Sequence, residues 1–236
     1  MGTHRAFHYW RRGRRLGSAA LVLAAGYVAT WLWWDVSVDT YLLGQYYGVT
    51  VSVMQVSPAV FGTAALALTA PDMPRMELLC GRRTHDLTAA FMAVVALCAS
   101  CMVPAVRLLL DVAPVRWIPG AGDAGRRPFA PATWELLALM WMPCALTMAV
   151  AVIGVTVCGR LAGGGIVLVW LALLLVVASW KPVSRLSPFM WDSSVRGDGM
   201  PAAMAAVFLA ACVLQWQCLR RGWTLAGRYA PFSAVR

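Results

Sequence analysis

Six stretches of this chain, each about as long as a bilayer-crossing helix, carry almost no charge. They run roughly over 17–34, 49–70, 88–110, 134–157, 161–180 and 201–219. A helix crossing the hydrocarbon core needs about 20 predominantly apolar residues. None of the six contains a lysine, and only the third carries an arginine, Arg107, close enough to its end to snorkel to the interface. The chain is 61% hydrophobic and 13% charged, whereas a soluble domain is about 45–50% apolar and about 25% charged. Too little polar surface is available to coat a water-soluble globule, so lipid is the solvent for much of this one. The expected fold is all-α: one polytopic transmembrane domain over 1–236. Its fourth and fifth spans, separated by Cys158-Gly159-Arg160, should form a tight helical hairpin.

The formal charge is +10, and every basic residue except Lys181 is arginine. In a soluble protein this balance would suggest nucleic acid, but no recognition module accompanies it. The arginines instead cluster between apolar runs, where positive residues mark cytoplasmic flanks. With six spans, the inner set is Arg5, Arg11, Arg12, Arg14, Arg15, Arg75, Arg82, Arg83, Arg160, Arg220, Arg221, Arg228 and Arg236. The outer set is Arg116, Arg126, Arg127, Lys181, Arg185 and Arg196. The imbalance puts both termini in the cytoplasm and the chain in the inner or plasma membrane. Asp35 to Gly48, an outer loop, agrees with two aspartates and no basic residue. Arg126 and Arg127 do not: either their loop folds onto headgroups or the third and fourth spans are misplaced. Residues 3–16, THRAFHYWRRGRRL, read as an interfacial helix or as a disordered basic tail. The run after them ends in Trp31-Leu32-Trp33-Trp34-Asp35 without a small-x-small cleavage site, so it reads as a retained first span.

Signals for catalysis are sparse. There is no G-x-x-x-x-G-K-[ST], H-E-x-x-H or G-x-S-x-G. Gly163-Gly164-Gly165 leads straight into a span and suits close helix packing or a flexible start. His4, His8 and His85 lie in or near basic inner segments with no further ligand in view, so no metal is expected. Cys98-Ala-Ser-Cys101 has redox spacing but lies mid-span among Val, Ala, Leu and Met, where packing is the better reading. Further cysteines in or beside apolar runs, Cys144, Cys158 and Cys212 among them, act as small hydrophobes rather than a disulfide scaffold. Every carboxylate falls near a span end or in a loop. Polar residues inside the spans are few and include Gln55, Ser57, Thr63, Ser100, Thr147, Thr156 and Gln215. Nothing in the chain supplies energy, so a driven activity would need a partner.

Two loops have distinct composition. In the inner one, 70–88, a short helix would place Met76, Leu79 and Cys80 on one face and leave Glu77, Arg82 and Arg83 polar. The outer one, 181–201, has internal prolines and the aromatic pair Phe189 and Trp191, which suit a broken or re-entrant segment. The run Pro71-Asp72-Met73-Pro74-Arg75-Met76-Glu77-Leu78-Leu79-Cys80-Gly81-Arg82-Arg83, continuing to Asp86-Leu87, resembles the segment after the second span in type-2 ATP-binding cassette (ABC) exporter permeases. Ser187-Pro188-Phe189-x-Trp191, a last span and Arg220-Arg221-Gly222-Trp223 are similar to that family's ending. As architecture the resemblance covers nearly the whole chain; as motif it covers these stretches.

The resemblance implies a permease that pairs with a second copy or a related permease and docks a separate cytoplasmic ATPase. Residues 74–86 would be the coupling helix, with Pro74, Arg75, Glu77, Leu79, Arg82, Arg83 and Asp86 as candidate contacts. ATP and Mg would sit on the partner, leaving this chain without a cofactor or catalytic residue of its own. The family's second and fifth spans line the substrate path, which here points to Gln55, Ser57 and Trp170. The expected function is export of an amphipathic substrate such as a drug, a peptide antibiotic or a lipid. A non-transporting assembly or anchoring subunit is the alternative, and a membrane enzyme using Cys98 and Cys101 comes third.

Overall fold

A computed structural model describes residues 15–40, 49–70, 82–119, 131–179 and 199–221. Apart from one two-stranded ribbon and a short turn, the described chain is helical, as apolar sequence in lipid requires. A helix satisfies its backbone donors and acceptors internally, and hydrocarbon offers them nothing else. The helices are α1 (Leu16–Leu32), α2 (Val53–Thr69), α3 (Arg82–Ser100), α4 (Met102–Val112), α5 (Trp134–Cys158), α6 (Arg160–Ser179) and α7 (Met200–Arg221). Three of them, α5, α6 and α7, are long and apolar enough to cross a membrane, and α3 with α4 makes a fourth candidate if the bent pair is one span.

The centre of the bundle is α5. It is apolar on every side, and 56% of its most apolar stretch is buried, against 28% for α6 and for α7. Such a helix belongs inside. It packs against α7, α6, α3, α2 and α4. The main core gathers Leu66 of α2, Met92 and Val95 of α3, Met148 and Val152 of α5, Val167 of α6 and Phe208 of α7. A smaller cluster at one end joins Met54, Val103, Val106, Leu110, Ile118 and Cys144, with Trp31 and Trp34 packed against it. Outward faces of the peripheral helices are apolar too: Leu21, Val28, Leu168, Val169 and Leu209 are all exposed. An apolar face of this extent suits lipid rather than water.

Local chemistry sets the ends of α5. Thr133 caps its start, its side-chain oxygen accepting from Leu136 N at 3.3 Å, and Glu135 occupies the first turn near the positive end of the helix dipole. At its other end Gly159 has φ 87°, a left-handed conformation favouring glycine, and α6 begins at the next residue. The expected hairpin is therefore present. Gly163 lets it close: a Cβ there would lie 2.5 Å from Val155 Cα and 2.6 Å from Val155 N.

Three departures from expectation have physical causes. The expected second span began at 49, but Val49–Ser52 is a strand paired antiparallel with Ser37–Thr40, in the register Ser37 to Ser52 and Thr40 to Val49. The run Val49-Thr50-Val51-Ser52 alternates β-branched and polar residues, a strand pattern inside an apolar stretch. A two-stranded ribbon has open edges and cannot sit in lipid-exposed hydrocarbon. The apolar helix α2 therefore starts at Val53.

The expected third span, 88–110, is not one straight helix. It starts six residues earlier at Arg82 and breaks at Cys101, with a 47° bend between α3 and α4. Pro104 lies one turn beyond Ser100; it has no N–H to give the Ser100 carbonyl, and its ring crowds that carbonyl. The third departure is Arg107, which does not snorkel but is buried in an ion pair.

In the helical hairpin, Gly163→Ala should lower the unfolding midpoint in detergent by an amount equivalent to about 1–3 kcal/mol of overpacking. Gly164→Ala, whose Cβ would meet nothing within 4 Å, should leave the midpoint unchanged or raise it. Thermal unfolding of the two purified variants checks the pair.

Candidate functional site

Cross-bundle hydrogen bonds sort the helix ends into two rims. At the first rim Trp216 Nε1 donates to Asp86 Oδ1 at 2.7 Å, joining the end of α7 to the start of α3. Arg160 Nη2 donates to the Ala70 carbonyl, joining the α5–α6 turn to the end of α2. At the second rim Trp34 Nε1 donates to the Pro119 carbonyl at 2.7 Å, joining the segment after α1 to that after α4. Along the axis, Thr30 late in α1 meets Ser57 early in α2, the two hydroxyl oxygens 2.5 Å apart, so these helices run antiparallel.

The charge on the described residues follows the rims. Arg15, Arg82, Arg83, Arg160, Arg220 and Arg221 lie at the first, against Asp86. Arg107 and Arg116 lie at the second, against Asp35, Asp39, Asp111 and Glu135.

The second rim holds a polar cluster in an otherwise apolar wall. Arg107, buried on α4, donates from Nη1 to Asp111 Oδ1 at 2.6 Å, one helical turn on. The other carboxylate oxygen accepts from Ala132 N at 2.7 Å, fastening the approach to α5 onto the end of α4. A charge taken out of water must be paired to persist, and Asp111 meets that need while ordering the neighbouring backbone. Beside the pair lies a cleft of about 330 Å³, into which Trp34, Met54, Gln55, Arg107, Leu136 and Met140 project. Its walls are mostly apolar, with Gln55 and the paired Arg107 as polar anchors. That combination suits an amphipathic molecule with a small polar part.

Of the expected substrate-path residues, Gln55 lines this cleft. Ser57 is buried nearby in α2, hydrogen-bonding to the Met54 carbonyl at 2.9 Å and meeting Thr30. Trp170 is half-buried on α6, outside the cleft lining, and its indole N–H has no hydrogen-bond partner among the described residues. The three are not brought together at one site. Gln215, almost fully buried on α7, likewise has no partner for either amide atom among the described residues.

Of the expected coupling residues, Pro74, Arg75, Glu77 and Leu79 lie outside the described residues, as do the expected interfacial helix, except its last two residues, and nearly all of the outer re-entrant segment. Arg82 and Arg83 open α3, and Asp86 is held by Trp216. Cys98 and Cys101 are free thiols, Cys98 exposed and Cys101 at the break between α3 and α4. Among the described residues no three His, Cys, Asp or Glu side chains gather as a metal site would require.

Sequence reading missed the Arg107–Asp111 pair, although four-residue spacing of opposite charges on a helix is a usable signal. It also missed the Asp86–Trp216 bond, which spans 130 residues and leaves no local trace. If the ion pair organises the second rim, Asp111→Ala should destabilise the bundle by about 3–5 kcal/mol, because Arg107 is left buried without its carboxylate. Asp111→Asn, which can still accept from Ala132 N, should cost less; unfolding midpoints of the two variants in detergent decide this.

Comparison with protein-family models, with curated proteins and with solved structures finds no match for this chain.

Proposed function

We propose that this chain is the membrane subunit of an ATP-driven exporter of the type-2 ABC class, working with a separate cytoplasmic ATPase and a second permease. All six helical bodies, the bent α3–α4 pair counted as one, cross the bilayer in this reading. The two shorter ones, α1 and α2, have 17 residues each, about 25 Å of helix at 1.5 Å per residue. Local thinning or the flanking Trp33, Trp34 and Ala70 make up the difference from about 30 Å of hydrocarbon.

The observation that carries the reading is that the arginines of the described residues gather at one rim, six there against two at the other. Alternating crossings put the ends of α2, α5 and α7 and the starts of α1, α3 and α6 on one side, which is the rim rich in arginine. Positive flanks stay inside, so this rim faces the cytoplasm and both termini lie there. The segment between α2 and α3, which bears the permease-like motif, then also faces the cytoplasm, where an ATPase can reach it. Glu77, Arg82, Arg83 and Asp86 are its polar contacts.

ATP and Mg act on the partner, where phosphoryl transfer takes place. Closure of the ATPase pair moves the coupling segments, and the helices follow as rigid bodies. The bent α3–α4 pair would pass that displacement from the inner rim to Arg107 and Asp111 at the outer rim. There the cleft containing Gln55 takes the amphipathic substrate.

Co-purification in mild detergent tests the partner: a cytoplasmic ATPase should come down with the tagged chain. In the reconstituted complex, reversing the charges of Glu77 and Arg82 should cut substrate-stimulated ATP hydrolysis by roughly tenfold, a typical coupling effect, while membrane insertion stays intact. Unchanged stimulation would remove the docking assignment, and a chain that moves solute unaided would remove the exporter reading.

A further inference from the structure

At the basic rim a second cleft of about 330 Å³ opens between the start of α3 and the end of α7, lined by His85, Trp216, Gln217, Arg220 and Arg221. We propose that it binds the phosphate of an anionic phospholipid headgroup. This rests on bilayer insertion alone and is independent of the exporter reading.

Four observations converge on a lipid phosphate. The cleft is cationic through Arg220 and Arg221, both exposed, while His85 is a buried part of its lining. The nearby carboxylate, Asp86, is engaged by the Trp216 indole N–H at 2.7 Å. The Arg220 guanidinium lies 4.7 Å from the centre of the Trp216 ring, so one indole holds both the carboxylate and the cation in place. Finally, the cleft closes an apolar track. Leu209, Val213, Gln217 and Arg220 recur at helical spacing on the exposed face of α7, so acyl chains lying along Leu209 and Val213 deliver their headgroup to Gln217 and Arg220.

Charge complementarity selects among lipids. A zwitterionic headgroup brings its own cation toward two arginines, whereas phosphatidylglycerol brings a single negative phosphodiester with hydroxyl groups. The volume fits such a headgroup, being at the small end of the usual range of about 300–1,000 Å³ for ligand pockets. A tryptophan with flanking arginines at the end of an apolar helix also lies at headgroup depth.

The test releases the full-length protein from nanodiscs of equimolar phosphatidylglycerol and phosphatidylcholine into the mass spectrometer and counts retained lipids. The wild type should retain phosphatidylglycerol in preference. Each surface arginine is worth roughly fivefold in affinity for anionic lipid, so Arg220→Gln with Arg221→Gln should lower that preference roughly tenfold or more. Asp86→Asn, which removes the local negative charge, should raise it. Arg116→Gln, on the other rim, should leave it unchanged. An unaltered ratio in the double variant, or an equal fall in Arg116→Gln, would overturn the site. Displacement of the retained lipid by millimolar inorganic phosphate would overturn the lipid assignment in favour of a free-anion site.

Discussion

A backbone amide inside hydrocarbon has no water to bond, and every larger feature of this protein follows from that constraint. The apolar runs become helices because a helix closes its own hydrogen bonds, and the one open-edged element among the described residues, the ribbon Ser37–Thr40 with Val49–Ser52, precedes α2. Several side-chain hydroxyls within the helices obey the same rule by turning back on their own helix, although the buried Thr63 hydroxyl has no partner among the described residues. Thr147 donates to the Pro143 carbonyl at 2.8 Å and Thr156 to the Val152 carbonyl at 2.6 Å. The first of these lies beside a proline that cannot bond the preceding turn, so polar satisfaction and helix irregularity occur together.

Because lipid is as apolar as the core, burying hydrophobic surface cannot alone decide which helix faces which. Close packing of small residues and a few polar ties do that work. Gly163 against Val155 sets α5 on α6, Arg160 ties their turn to α2, Asp111 ties α4 to the approach of α5, and Trp216 ties α7 to α3. The ties through Arg160, Asp111 and Trp216 lie near helix ends, where loops and charge meet headgroups. Deeper in the bundle Trp141 Nε1 donates to Ser100 Oγ at 3.2 Å and the Tyr27 hydroxyl donates to the Cys98 carbonyl at 2.8 Å, with van der Waals packing around these bonds.

Much of the helical pattern was legible in the sequence because length and hydropathy encode it directly. Cys158-Gly159-Arg160 marks the turn from α5 to α6, whereas the cap at Thr133 emerges only from the structure. The strand over 49–52 was hidden because Val-Thr-Val-Ser is apolar enough to extend a span by hydropathy, and its alternation is too short to stand out. Pro104 was visible, but a bend needs the Ser100 carbonyl to lose its donor, a consequence of geometry rather than composition. Arg107 read as a snorkelling residue because its partner, Asp111, lay just beyond the expected end of the span. The clefts were illegible for a different reason: each joins residues from distant helices, such as Gln55 with Arg107 and His85 with Arg220. Only packing creates that adjacency.

A cytoplasmic ATPase can reach this chain only from inside, so the exporter reading requires the arginine-rich rim to face the cytoplasm. Single cysteines in a background lacking the native ones report this directly. Trp134 at the start of α5 and Leu161 at the start of α6 are both exposed and lie at opposite rims. With a membrane-impermeant maleimide on intact cells, Trp134→Cys should label at once and Leu161→Cys only after permeabilisation. Labelling of both from the same side, or the reverse order, would contradict the account.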